Sequence, residues 1–168
     1  KPNWPTKKLG EICEVNYGTR IVKSRNKPGD YFVYGGGGKT FTTNTYNRES
    51  CVIFSRFGMS SNCIRKIEGK FYLNDSGLTV APKKIIELSQ DYLDWILIAF
   101  ESMIFDLGRG QAQRNLNVEG FRNLEIPLPP LETQKKNVKK IEGLFAKIDQ
   151  AESLRESATR NVDDLIPA

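Results

Sequence analysis

The 168-residue chain contains no histidine, and its only cysteines are Cys13, Cys51 and Cys63. The first absence removes the side chain that titrates nearest neutral pH, the usual general base and the commonest zinc ligand. The three thiols form no C-x-x-C pair, are odd in number and sit among apolar, strand-like neighbours. They are expected to be reduced core residues of a cytoplasmic protein rather than a disulfide frame or a zinc site. No apolar run approaches the roughly 20 residues of a membrane span, and no basic-then-apolar leader opens the sequence, so neither insertion nor signal-directed export is expected. Lys1 in place of Met fits a processed or trimmed chain. Also missing are a glycine-rich cofactor loop behind a first strand and an Asn- or Asp-Pro-Pro-aromatic methyltransferase motif, which leaves no recognisable chemistry for the chain itself.

What is present is a hydrophobic content of 39%, enough for one ordinary domain and an appendage, and a formal net charge of +5. The charge is unevenly placed: residues 1–50 carry 9 Lys and Arg against 4 Asp and Glu, whereas residues 51–168 carry 16 of each. A surplus confined to the first third is either a solvated basic face or a surface for a polyanion such as nucleic acid. Much of it lies in residues 16–30, which contain Arg20, Lys23, Arg25 and Lys27, end in Pro28-Gly29-Asp30, and are expected to project rather than pack.

Tyr31-Phe32-Val33-Tyr34 reads as a strand and is followed by a run of glycines, Gly35 to Gly38, and Lys39-Thr40. The run is not a phosphate loop. The G-x-x-x-x-G-K-[ST] spacing would put glycine where Val33 stands, and the residues from Phe41 to Tyr46 are β-prone, so no helix N-terminus would meet a phosphate. The glycines are expected instead to let backbone lie close to another surface, core or DNA.

Cys51 to Ser55, Cys63 to Ile67, Lys70 to Leu73 and Leu78 to Val80 read as four further strands, separated by Gly58, Gly69 and Gly77. The spacing from Asp91 to Phe105 predicts one helix, apolar on most sides, with Ser89 as its cap and Gly108 beyond its end. Residues 108–115 hold Arg109, Gln111, Gln113, Arg114 and Asn115 and no acid. Arginine pairs bidentately with guanine, and glutamine or asparagine with adenine, so this is either a base-reading or phosphate-gripping loop or a polar loop without function. Asn117 is expected to cap a short turn through Phe121.

The longest helical pattern follows the corner Leu124-Glu125-Ile126-Pro127-Leu128-Pro129-Pro130-Leu131. Pro130 can open a helix, because a first-turn N–H would have no intrahelical partner anyway. Val138, Ile141, Phe145, Ile148, Ala151, Leu154, Ala158, Val162 and Leu165 then recur at steps of three or four, with charged residues on the other faces. A helix this long cannot bury its whole stripe on the domain before it, so the far half is expected to need a second helix in a paired seam. The alternative is a terminal helix folded back on its own domain. The three-residue steps at Ile148, Ala151 and Leu154 break a strict heptad and predict a short coiled coil with a local slip.

Lys8-Leu9-Gly10-Glu11-Ile12-Cys13, Asn74-Asp75-Ser76-Gly77-Leu78-Thr79, Gly110-Gln111-Ala112-Gln113 with Leu116, and above all Ile126-Pro127-Leu128-Pro129-Pro130-Leu131-Glu132-Thr133-Gln134 before a long helix, together resemble the specificity subunits of type I restriction-modification systems. The resemblance covers nearly the whole chain. It implies an α+β fold: a target recognition domain of mixed sheet and packed helices at residues 1–128, and a spacer or dimerisation helix of coiled-coil type at 129–168. Members usually hold two such domains and two helices, so one of each implies a half-subunit, natural or cut from a longer gene, that pairs with itself.

It further implies a non-catalytic protein that binds double-stranded DNA and serves methyltransferase and restriction subunits, which would carry S-adenosylmethionine and ATP with magnesium. The expected DNA contacts are Arg20, Lys23, Arg25, Lys39, Arg109, Gln111, Gln113, Arg114 and Asn115. The expected dimer or partner contacts are Val138, Ile141, Phe145, Ile148, Leu154 and Leu165. Two other classes remain open at this point: the recognition domain of a fused methyltransferase-endonuclease, and a protein-protein scaffold docked through its helix.

Overall fold

The structure is a computed structural model that describes residues 4–111 and 113–163, with side chains as far as Arg160. Its elements run β1 (Thr6–Lys8), α1 (Leu9–Ile12), β2 (Cys13–Tyr17), β3 (Tyr31–Gly35), β4 (Gly38–Thr43), β5 (Arg48–Ser55), β6 (Ile64–Leu73), β7 (Gly77–Pro82), α2 (Gln90–Ala99), α3 (Glu101–Asp106), β8 (Gly108–Arg109), β9 (Asn115–Leu116), α4 (Val118–Arg122), β10 (Glu125–Pro127) and α5 (Leu131–Asp163). A mixed sheet in the order β2-β7-β5-β6-β3-β4 is antiparallel except where β3 meets β6, so the fold is α+β as expected.

Side-chain alternation along β5 sorts the core. Val52 and Phe54 point to the main core with Leu93, Leu97, Ile104 and Phe121 from the helices, while Ile53 joins Phe71 and Leu73 in a second, smaller cluster. Both faces are covered, which is why this strand reads as an unbroken apolar run.

Two expectations about elements are corrected. The runs on either side of Gly69 are one strand, because Gly69 (φ 74°) and Ser50 of the partner strand (φ 38°) turn a corner together and stay joined by a Gly69 N–H to Ser50 Oγ bond of 3.0 Å. Glycine marks a bend in the ladder here, with a register shift between Glu49 and Cys51, and not the end of a strand. The single helix predicted from Asp91 breaks at Phe100 into α2 and α3. The break sets the Glu101 carboxylate to accept the Ile64 N–H at 3.0 Å, a tertiary contact with no local signal. The predicted cap at Ser89 is present, its Oγ accepting the Tyr92 N–H at 3.2 Å.

The corner before α5 is tied from both sides. β1 pairs with β10, the Leu128 N–H reaches the Pro5 carbonyl at 2.8 Å, and the Pro130 carbonyl accepts the Thr133 and Gln134 N–H groups that open the helix. Gln134 is fully buried: its Oε1 accepts the Ser89 N–H at 2.9 Å, and its Nε2 donates to the Glu87 and Pro129 carbonyls at 2.8 and 2.9 Å. One amide thus links the helix, the corner and the approach to α2.

The apolar stripe of α5 splits along its length. Val138 lies in the domain core, Ile141 is half-buried, and Phe145 stacks on Trp95 of α2 with ring centroids 5.0 Å apart. Farther on, Ile148 and Leu154 are 51% and 64% exposed. Leu165 and the side chain of Val162 lie outside the described residues.

Replacing Gln134 with Ala removes the side-chain partner of one N–H and two carbonyls, so stability should fall by about 1–3 kcal/mol in urea unfolding. Asp94 supplies a pH test. Burial, partly offset by its Gln90 hydrogen bond, raises its carboxyl to about 6. A carboxyl raised in the folded state favours folding below its unfolded pKa of about 3.9, and that contribution is lost as pH rises through the folded value. Asp94→Asn should therefore be more stable than wild type at neutral pH, and the difference should vanish in acid when unfolding midpoints are compared.

Candidate nucleic-acid interface

The corner in β5 and β6 brings both ends of β6 to the turn between β3 and β4. The Asn74 N–H, just past one end, reaches the Tyr34 carbonyl at 2.9 Å, and Arg65, near the other, donates from Nη1 to the Gly36 carbonyl at 3.0 Å. The Gly36 N–H donates to Ser76 Oγ at 2.8 Å, and Ser55 Oγ donates to the Gly36 carbonyl at 2.7 Å. A Cβ on Gly36 would overlap the Phe57 carbonyl oxygen, so this turn needs glycine for close backbone approach, as expected of the run.

Three other segments meet the same end of the sheet. The Gly18 and Thr19 N–H groups bond to the Gly77 and Leu73 carbonyls, both at 3.0 Å. Arg56 donates its N–H to the Ser76 carbonyl at 2.8 Å and accepts from Leu116 N–H at 2.9 Å, and Met59 N–H reaches the Arg114 carbonyl at 2.8 Å. The turn at Asn74 to Ser76 and the β8–β9 hairpin are thereby locked onto residues 56–59.

The expected DNA contacts divide between this surface and its flank. Gln111, Gln113 and Arg109 are exposed on the β8–β9 hairpin. Arg114 is half-buried, its guanidinium carbon 4.4 Å from the centre of the Phe105 ring, and Asn115 Oδ1 accepts the Gly58 N–H at 3.3 Å. These last two therefore also support the hairpin. Arg20 is exposed directly after the pinned Thr19, and exposed Lys39 sits with its Nζ 3.3 Å over the Phe32 ring. Lys23 and Arg25 lie in a 3-10 turn (Lys23–Arg25). The next residue, Asn26, bonds the Thr42 carbonyl and Thr43 Oγ1 at 2.9 and 2.8 Å, at the end of the hairpin away from Gly36. Residues 16–30 are thus pinned at both ends rather than simply projecting, because Gly18, Thr19 and Asn26 find backbone and side-chain partners on the sheet.

Among the described residues the ion pairs are Lys84–Glu87 and Lys135–Glu132, so none of the cations on this surface is engaged by an acid. Burial favours the protonated thiols, pushing Cys13 up to about 12 and Cys51 to about 11 and raising Cys63 as well.

Residues 1–160 match the family described as type I restriction modification DNA specificity domain. The chain belongs to that family. A type I specificity subunit of Mycoplasma pneumoniae is 26% identical over 131 residues, covering 75% of this chain and 34% of that protein. The crystal structure of a type I restriction-modification S subunit from M. genitalium aligns with a TM-score of 0.77 at 19% identity, over 96% of this chain and 44% of the other. The HsdS subunit of Thermoanaerobacter tengcongensis gives 0.61 at 18% identity, over 90% and 40%. The chain therefore spans less than half the length of these relatives.

The sequence did not single out Arg56, Tyr17 and Phe57, which the structure gathers at this end of the sheet. Arg56-Phe57-Gly58 stands between a strand and a Ser- and Asn-rich stretch, which was the available signal, but Tyr17 is brought to it by the pairing of β2 with β7 alone.

The close approach at Gly36 predicts that Gly36→Ala lowers stability by about 1–3 kcal/mol and speeds amide exchange at residues 36 and 57. Unfolding midpoints and hydrogen exchange test it.

Proposed function

We propose that this chain is a DNA-recognition module of a type I specificity subunit, with a target recognition domain at residues 1–128 and a spacer helix at 129–168. The observation that carries the reading is the loop end of the sheet. There, cations with no acid partner among the described residues stand with amide side chains on a hydrogen-bonded frame in a domain of the DNA specificity family. Arg20, Lys23, Arg25 and Lys39 are assigned to phosphates, where a flexible exposed charge suffices. Arg109, Gln111, Gln113, Arg114 and Asn115 are assigned nearer to base edges.

The module carries out no chemistry. Methyl transfer would fall to methyltransferase subunits holding S-adenosylmethionine, and cleavage to a restriction subunit using ATP and magnesium, all in the cytoplasm. Among the described residues no helix is long and apolar enough to cross a membrane.

The helix is assigned to pairing with a second copy and to docking the methyltransferase. Ile141, Phe145, Ile148, Leu154 and Leu165 remain its contacts. Val138 is withdrawn from the set, because it is 8% exposed within the domain's own core. The exposure of Leu144 and Ile148 at 52% and 51% supports the reading, since apolar residues at helical spacing on one face call for a cover.

DNA affinity measured against salt, on random duplex and on duplex enriched from a randomised pool, tests the assignment. Each phosphate contact contributes about 0.9 to the slope of log K against log salt, so Lys23→Ala or Arg25→Ala should flatten that slope on both duplexes. Gln113→Ala or Arg114→Ala should instead cost about 1–3 kcal/mol on the enriched duplex only. Equal loss on both duplexes for every variant would contradict the division of roles.

A further inference from the structure

Three arginines of the sheet and its loops differ in how their donors are used. Arg48 donates to Thr79 Oγ1, the Asn47 carbonyl and the Tyr17 carbonyl at 3.3, 2.8 and 3.0 Å. Arg65 donates to the Gly36 carbonyl and Ser55 Oγ at 3.0 and 3.4 Å. Both are internal ties. Arg56 instead lies over two aromatic rings, with its guanidinium carbon 4.7 Å from the centre of the Tyr17 ring and 4.5 Å from that of Phe57.

Contact with two rings holds a guanidinium in place without using its N–H groups. Among the described residues the edge bond of Arg56 is one long contact from Nη1 to the Asp75 carbonyl at 3.4 Å, which leaves most of the fork free. Its backbone N–H and carbonyl are both bonded, and its two ring partners are themselves exposed, Tyr17 at 42% and Phe57 at 38%. The clamp therefore stands at the surface of the loop end on a fixed frame.

A phosphate can be gripped from many directions by a mobile charge. A planar fork of fixed orientation matches a planar pair of acceptors, and the pair that the base edges of the major groove offer is O6 and N7 of guanine. We propose that Arg56, held against Tyr17 and Phe57, is a specificity-determining residue that reads one guanine of the recognised half-site. This rests on the reading of the chain as a DNA-recognition module.

The test uses the full chain with its methyltransferase subunit and duplexes enriched from a randomised pool. Each guanine of the enriched site is replaced in turn by 7-deazaguanine, which removes N7 and keeps Watson–Crick pairing. One position should weaken wild-type binding by about tenfold. Arg56→Lys, which keeps the charge but not the fork, should be indifferent to the same replacement. The DNA change is read on wild-type protein, so the first result does not depend on a variant folding. The proposal is overturned if no guanine is sensitive, if Arg56→Lys keeps the wild-type sensitivity, or if Arg56→Lys weakens enriched and random duplexes alike. Failure of the wild-type complex to enrich any sequence would overturn the DNA-recognition reading itself, and the proposal with it.

Discussion

The buried amide of Gln134 is the constraint on which the arrangement of the molecule depends. A helix of 33 residues has nothing in its own backbone to say where it points, and a proline corner limits the exit angle without fixing it. Gln134 has both kinds of partner an amide needs, an N–H for its oxygen and two carbonyls for its nitrogen, and these come from two separate segments, the approach to α2 and the proline corner. Trp95 stacked on Phe145 extends the same hold by about three turns. The first part of α5 is thereby a rigid outrigger of the domain, and its far part is carried outward in a set direction.

At the other working region the constraint is backbone approach. Gly36 lies so close to the Phe57 carbonyl that the β3–β4 turn, the segment after β5 and the Asn74–Ser76 turn behave as one body. Arg65 is tied into that body and Arg48 to the strands beside it, while Arg56 and Arg114 lie over aromatic rings and each make one long edge bond, to the Asp75 and Gly108 carbonyls. Charge alone does not distinguish these four residues; donor accounting does.

The elements that follow local rules were legible in the sequence. The cap at Ser89, the opening of α5 at Pro130 and the uncovered far stripe all rest on contacts within a few residues or on simple periodicity. What was not legible depends on partners remote in sequence. Gly69 looks like a strand end until Ser50 is seen to bend with it, the break at Phe100 is explained by the Ile64 N–H, and Val138 belongs to the domain because α2 lies over it. The same holds for the surface. The polar loop at residues 108–115 was visible by composition, but Tyr17, Arg56 and Phe57 become one clamp only through the order of the sheet.

The central claim is that the domain reads DNA while the helix, fixed to it by Gln134, sets the distance to a second reading domain. Insertion of one heptad after Ile148 keeps the apolar stripe nearly in phase and lengthens the helix by about 10.5 Å, or about 3 base pairs at roughly 3.4 Å each. Methylome sequencing of cells carrying the complete system with this insertion tests the claim most directly. The account predicts unchanged half-sites with a gap longer by about 3 base pairs. An unchanged gap, or half-sites that change while the gap stays the same, would contradict it.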